Sequence, residues 1–295
     1  MSNLLERVAT GRILISDGAM GTFLHAKGLA GGECPESWCV SHPAEVKSIA
    51  EAYIAAGSDM VETNSFGGTA YKLGLYGLAD RVAEFNRAAA ALAKQAMGDA
   101  GYVAASVGPT GQILVEQGGD ATADCLYKAF EDQIVALAEG GADAICVETM
   151  ASLEEAIQAV RAAKENTKLP VICTFTFELG PRGFRTMMGL RPDRAAKDAA
   201  LAGADIIGAN CGNGIANMIE IAKQMRAAAP GVPILIHANA GVPVLIEDGK
   251  TYFPETPEYM ASRVAELVAA GANIIGGCCG TTPEHIAAMA KAARA

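Results

Sequence analysis

Two places in the 295-residue chain bring thiols to glycine-rich breaks. Cys211 is followed by Gly212-Asn213-Gly214, and Cys278 and Cys279 stand between Gly276-Gly277 and Gly280. Thiolates are soft ligands that select zinc over hard cations. Three of them in a tetrahedral zinc site leave a fourth position open for substrate. Adjacent residues of a regular strand point to opposite faces. Cys278 and Cys279 can therefore turn to one ion only where a strand breaks, and the flanking glycines permit that break. Cys211, Cys278 and Cys279 read as a zinc site with catalytic potential; a strained vicinal disulfide is the competing reading of the pair. Cys125, Cys146 and Cys173 read as small apolar core residues. Cys34 and Cys39, in a loop, are left open between an incidental position and one lining a site.

Carboxylates form the second set. Asp17 precedes Gly18-Ala19-Met20-Gly21-Thr22, a turn whose N–H groups can approach a ligand closely. Glu148 sits in Val147-Glu148-Thr149-Met150. Acids beside one cavity suit the ammonium of an amino acid, and turn amides suit its carboxylate. A structural ion pair is the plainer reading of Glu148. His237, alone in an apolar run, reads as a satisfied core residue. No strand-end Lys suggests a Schiff base, and Gly276–Gly280 lacks the Lys and spacing of a phosphate loop.

These residues need elements to hold them. Eight short apolar runs recur: Ile13–Asp17, Met60–Asn64, Tyr102–Val107, Ala144–Thr149, Val171–Thr176, Ile206–Cys211, Ile234–Asn239 and Ile274–Cys279. Continuous apolar character fits strands buried on both faces of a parallel sheet. Ala-rich amphipathic stretches separate them, with helix starts at Pro43, at Ser152 before Glu154 and Glu155, and at Thr282-Pro283. The last stretch is Pro283–Arg294. Near-identical punctuation precedes four runs: Gly57-Ser58-Asp59, Gly141-Ala142-Asp143, Gly203-Ala204-Asp205 and Gly271-Ala272-Asn273. Such a Gly can end a helix in a left-handed cap.

Eight alternating units predict a single-domain (β/α)₈ TIM barrel over residues 1–295, with an open doubly wound sheet as the alternative. In such a barrel the site forms at the C-terminal ends of the strands. There the sequence places Asp17, Glu62 with Asn64, Ser106, Glu148, Thr176, Cys211, Asn239 and the Cys278–Cys279 pair. Four long stretches without periodicity, Lys27–Cys39, Gly108–Asp124, Leu179–Arg191 and Gly241–Pro257, read as loops of that site.

Composition excludes several classes. A net charge of −10 leaves no basic stripe for nucleic acid and no attraction to anionic membranes. Residues are 51% hydrophobic and 19% charged, enough apolar material for a large core and against disorder. No leader or spanning run is evident, so a cytoplasmic protein is expected. Eight cysteines in so long a chain do not resemble a secreted disulfide framework.

Together, Asp17–Thr22, Glu62-Thr63-Asn64-Ser65-Phe66, Glu148-Thr149-Met150, Gly208–Gly212 and Gly276–Pro283 resemble the homocysteine S-methyltransferase family along nearly the whole chain. Asp248–Pro257 is most similar to the branch that forms the N-terminal homocysteine-binding module of cobalamin-dependent methionine synthase. The resemblance implies zinc on Cys211, Cys278 and Cys279, with Asn239 matching an occasional fourth ligand. It implies that Asp17 and Glu148 hold the homocysteine ammonium, and that backbone near Gly18, Ala19, Gly21 and Thr22 holds the carboxylate. The activity implied is methyl transfer to homocysteine, giving methionine. From the Asp248–Pro257 stretch, the resemblance implies a methylated corrinoid (methylcobalamin) carried by a partner protein as the donor. The alternatives are S-methylmethionine or another sulfonium or ammonium donor, a corrinoid-linked enzyme acting on another substrate, and, least expected, a non-catalytic zinc module.

Overall fold

In the computed structural model, which describes residues 3–245 and 251–295, the eight apolar runs are eight parallel strands of one sheet. They are β1 (Leu14–Ile15), β2 (Met60–Glu62), β3 (Tyr102–Val107), β4 (Ala144–Met150), β5 (Val171–Phe175), β6 (Ile206–Asn210), β7 (Ile234–Ala238) and β8 (Ile274–Gly277). Their spatial order is β1-β8-β7-β6-β5-β4-β3-β2, which carries the sheet round into a nearly closed TIM barrel. Most strands stop short of the predicted end because the polar residue there leaves the ladder. A helical segment follows each strand, from Pro43–Ala55 after β1 to Pro283–Ala293 after β8. The start signals act as expected: Ser152 accepts the N–H of Glu155 at 3.3 Å, and Thr282 forms a capping box with His285.

The barrel interior is filled at its base. Leu14, Met60, Ala104, Cys146, Ile172, Ile206, Leu235 and Ile274 form one buried cluster there, and Leu4 and Val8 of the helix Leu4–Ala9 plug it from below. Burying each such side chain contributes about 1.5–3 kcal/mol. Outside the strands, small helix residues such as Ala89, Ala90, Ala159 and Ala163 let the helices lie close on the sheet.

The repeated punctuation has a structural role beyond the turn. Gly57, Gly141, Gly203 and Gly271 have φ of 104, 100, 109 and 108°, the left-handed cap expected. The Asp or Asn two residues on then accepts an N–H from the start of the preceding strand. Asp59 takes Ile15 at 3.0 Å, Asp143 takes Val103 at 2.9 Å, Asp205 takes Val171 at 2.8 Å, and Asn273 takes Ile234 at 2.9 Å. A cation from a helix completes each: Arg294, Lys94, Lys164 and Arg226 respectively. Strands are thus tied in pairs, β1/β2, β3/β4, β5/β6 and β7/β8, by one device used four times.

Between β1 and β2 no ladder forms among the described residues, and isolated bonds bridge the seam instead. Asp59 N–H reaches Ile15 O at 2.6 Å at the lower end. At the upper end, Asp17 Oδ2 accepts the N–H of Glu62 at 2.8 Å.

Three expectations are refined. Cys125 is exposed rather than in the core, because it falls on the solvent face of the helix Ala123–Glu139, whose buried face carries Leu126, Ala129 and Phe130. The Leu179–Arg191 stretch contains a short hairpin, Glu178–Gly180 against Gly183–Arg185, and Val244–Leu245 pairs with Thr251–Tyr252. The Asp248-Gly249-Lys250 part of the family resemblance lies outside the described residues. Among the described residues, no helix is long and apolar enough to cross a membrane.

Candidate functional site

Cys211 follows the last residue of β6 with φ of 59°, in the left-handed region that non-glycine residues seldom adopt. That turn, continued by Gly212 at φ 73°, swings the thiol towards the end of β8. Backbone bonds fix the position: Cys211 N–H donates to His237 O at 3.1 Å, and Cys278 N–H donates to Ala238 O at 2.8 Å. Thr281 Oγ1 donates to Cys278 O at 2.7 Å and holds the strand break after β8.

The three Sγ atoms all lie within 4.8 Å of one another. Cys211 Sγ and Cys279 Sγ are 3.8 Å apart. Tetrahedral zinc with Zn–S bonds of about 2.3 Å places neighbouring sulfurs about 3.8 Å apart, so the cluster fits such an ion. Hydrogen bonds from Cys278 and Cys279 pull the Cys211 thiol down to about 3, helped by Asn239. The same bonding to Cys211 pushes Cys278 well up and Cys279 up to about 11. Negative charge therefore gathers at Cys211 first. Asn239 is buried beside it, and its Oδ1 has no hydrogen-bond partner.

Next to the thiols a cavity of about 270 Å³ opens between β1, β2 and β4. Its walls are the Gly18–Thr22 turn, Glu62–Phe66, Ser106, Glu148, Thr149, Pro35, Glu36 and the three cysteines. Of the sequence-predicted residues, Gly18, Ala19, Gly21, Thr22, Glu148, Cys211, Cys278 and Cys279 thus meet at one cavity. Asp17 and Asn239 stand behind the wall, each nearly fully buried. Of the four predicted loops, only Lys27–Cys39 sends described residues into it. Ala19 N–H is already taken by Thr281 Oγ1 at 3.1 Å, and Tyr53 O–H donates to Ala19 O at 2.9 Å, so the turn is tied to the cysteine segment.

The acids differ in how they are held. Glu148 is gripped at both oxygens. Ser106 Oγ donates to Oε1, while Asn210 Nδ2 donates to Oε2 at 2.9 Å. Asn210 also accepts from Thr149 N–H at 2.8 Å and from Thr174 Oγ1 at 2.7 Å. Asp17 is committed to the Glu62 N–H. The carboxyl of Glu62 is hydrogen-bonded by the Cys146 thiol, while its Oε1 is buried with no hydrogen-bond partner and His237 Nδ1 lies 3.8 Å away. Burial pushes Asp17 and Glu148 each up to about 7, and pushes Glu62 well above the usual carboxylate range. Burial lowers His237 to about 4, so its ring is neutral and offers Glu62 no charge. No Lys, Arg or His is among the described lining residues.

Sequence reasoning gave Glu62 and Ser106 no role, although both stand at strand ends. Glu36 was missed outright, while Asn210 and Thr149 were read only as parts of the family motifs and given no role. Asn210, next to Cys211, could have been found as a polar residue closing an apolar strand. Glu36 and Thr149 carry no such signal; Thr149 lines the cavity because its own φ is 59°.

The model of the homocysteine S-methyltransferase family matches residues 14–293. Methionine synthase from Mycobacterium tuberculosis is 34% identical over 311 aligned positions covering 99% of this chain, and that from Mycobacterium leprae is 31% identical. The chain spans 25% of the length of those two proteins. Among solved structures, the metallated form of the homocysteine methyltransferase MmuM from Escherichia coli superposes with a TM-score of 0.80 at 23% identity, covering 98% of this chain and 99% of that one. That likeness concerns the fold.

Proposed function

The chain belongs to the homocysteine S-methyltransferase family, and we propose that it moves a methyl group onto the thiol of homocysteine, giving methionine. The observation that carries this reading is the set of three sulfurs within 4.8 Å of one another on the wall of an acid-lined cavity. Cys211, Cys278 and Cys279 would hold zinc, with Asn239 beside them. When bound, the metal lowers the pKa of a substrate thiol, so that its sulfur is an anionic nucleophile at neutral pH.

The remaining work falls to the chain. Asp17 and Glu148 supply the negative field that draws an ammonium into the cavity, and the Gly18–Thr22 turn presents backbone to the substrate carboxylate. Asn210 joins the acid to the thiol segment, so the ends of the substrate are held at a fixed separation. No protein base is required if the thiol proton is lost on binding, which suits a cavity whose neighbouring histidine is buried and neutral.

For the donor, we propose a methylated corrinoid on a partner protein. Exposed large apolar side chains crowd the loops after the strands: Phe66 and Leu75 after β2, Ile113 and Val115 after β3, Leu179 and Met187 after β5, Val242 and Leu245 after β7. Apolar side chains collected around one mouth suit a macromolecular surface more than a small sulfonium. The test is methionine formation by the zinc-loaded protein from homocysteine, with methylcobalamin or S-methylmethionine as donor. Turnover with methylcobalamin alone supports this reading. Turnover with S-methylmethionine alone replaces the donor, and turnover with neither contradicts the proposed acceptor.

A further inference from the structure

We propose that Glu255 is a positioning residue for the metal: it clasps the two thiol-bearing segments together from behind, so that Cys211, Cys278 and Cys279 stand ready to take one ion. This rests on the function proposed above and deepens it.

The segment after Cys211 needs such a tie. Gly214 opens the helix Ile215–Ala228, and as a glycine it offers no side chain to cap it. The first N–H groups of a helix find no partner inside it. Glu255, from the stretch after β7, supplies the cap across the chain: its Oε2 accepts the Ile215 N–H at 3.0 Å. A carboxylate there also meets the positive end of the helix. The approach is close, since a side-chain carbon on Gly214 would lie 2.0 Å from Glu255 Oε1. The carboxylate reaches its place because Gly214 has none.

The backbone of Glu255 holds the other segment. Its N–H donates to Ala240 O at 2.9 Å, and the Ala240 N–H donates to Cys279 O at 3.0 Å. Its carbonyl meets His285 Nε2 at 2.9 Å, on the helix that follows Cys279. The other ring nitrogen of His285 accepts the Thr282 N–H at 3.1 Å, so Nε2 carries the proton and donates to Glu255 O. Two residues earlier, Phe253 covers Gly280 so tightly that a side-chain carbon there would lie 2.2 Å from its ring. Glu255 thus reaches the loop of Cys211 by its side chain and the segment of Cys278 and Cys279 by its main chain. It is not among the described residues lining the cavity, so it acts through the thiols. Three thiolates repel one another until a cation joins them. Ties that keep their segments from parting favour the gathered arrangement, and partners outside the ligand set typically contribute roughly 10- to 100-fold to metal affinity.

The test uses the full chain, freed of metal and titrated with zinc against a chromophoric chelator, so affinity is read without turnover. Glu255→Ala is expected to weaken zinc binding roughly 10- to 100-fold. Glu255→Gln keeps an acceptor for the Ile215 N–H and should recover part of that loss. Gly214→Ala displaces the carboxylate and should lose as much as Glu255→Ala. The two combined should lose no more than either alone, because both break one tie. Circular dichroism of the metal-free proteins checks folding, and Glu255→Gln with Gly214→Ala carries the test if Glu255→Ala does not fold. A merely structural role would lower the melting temperature of the metal-free variants and leave zinc affinity unchanged. That result, or losses that add in the double variant, would overturn the proposal while leaving the proposed function standing. An unsubstituted protein that binds no zinc would overturn both.

Discussion

Asn210 Nδ2 donates to Glu148 Oε2 at 2.9 Å, so the residue beside the first thiol grips the acid at the end of β4. The same Asn accepts from Thr149 N–H and Thr174 Oγ1, which makes it the joint between the sulfur side and the carboxylate side of the cavity. Asn210→Ala strands these buried groups together. The expected cost is about 1–3 kcal/mol of stability, read as a fall of a few degrees in melting temperature. Homocysteine affinity should fall as well, because Glu148 is no longer held. An unchanged melting curve would show that water replaces the joint.

The four ties below the strands make the opposite prediction. Asp143 accepts from Val103 N–H and pairs with Lys94 at the foot of the barrel. Asp143→Ala should cost about 1–3 kcal/mol through the unpaired N–H. Turnover should not change, because the reacting groups sit at the far end of the strands. A drop in kcat without loss of stability would contradict that separation.

The buried Asp17 gives a pH signature. An unfolded Asp ionises near pH 4, whereas in the fold burial raises Asp17 to about 7. The stability it contributes is fully present below about pH 4 and is lost as pH rises through about 7. Asp17→Asn keeps an acceptor for the Glu62 N–H and removes the ionisation. Denaturant titrations of the two proteins should therefore show the variant gaining on the wild type between about pH 4 and 7. A difference that stays constant across this range would mean that Asp17 is ionised throughout.

Metal removal should leave the fold standing. The core of the barrel base is made of Leu14, Met60, Ile172, Ile206, Leu235 and Ile274, none of which depends on the thiols. Chelation is expected to abolish turnover while far-UV circular dichroism is retained. Unfolding on chelation would mark the cluster as structural.

Much of this was legible in the residues. Eight continuous apolar runs declare a parallel barrel, because strands buried on both faces cannot alternate. The thiols were legible because glycines flank them at strand ends. What was hidden depends on neighbours across the sheet. The Gly-x-Asp punctuation reads as a turn, but its bond to the N–H of another strand appears only once the register is set. Asp17 reads as a binding acid, and its bond to the Glu62 N–H across the β1/β2 seam appears only in the fold. The left-handed turn at Cys211 is invisible in a residue type that rarely adopts it. Cys125 was misplaced for a simpler reason: its helix turns that position to solvent.

The most direct test of the central claim is the zinc content of the purified protein beside that of Cys211→Ala, with methionine formation followed in both. The account predicts one zinc per chain in the unsubstituted protein, and loss of both metal and turnover in the variant. A Cys211→Ala protein that kept its zinc and its full turnover would contradict it.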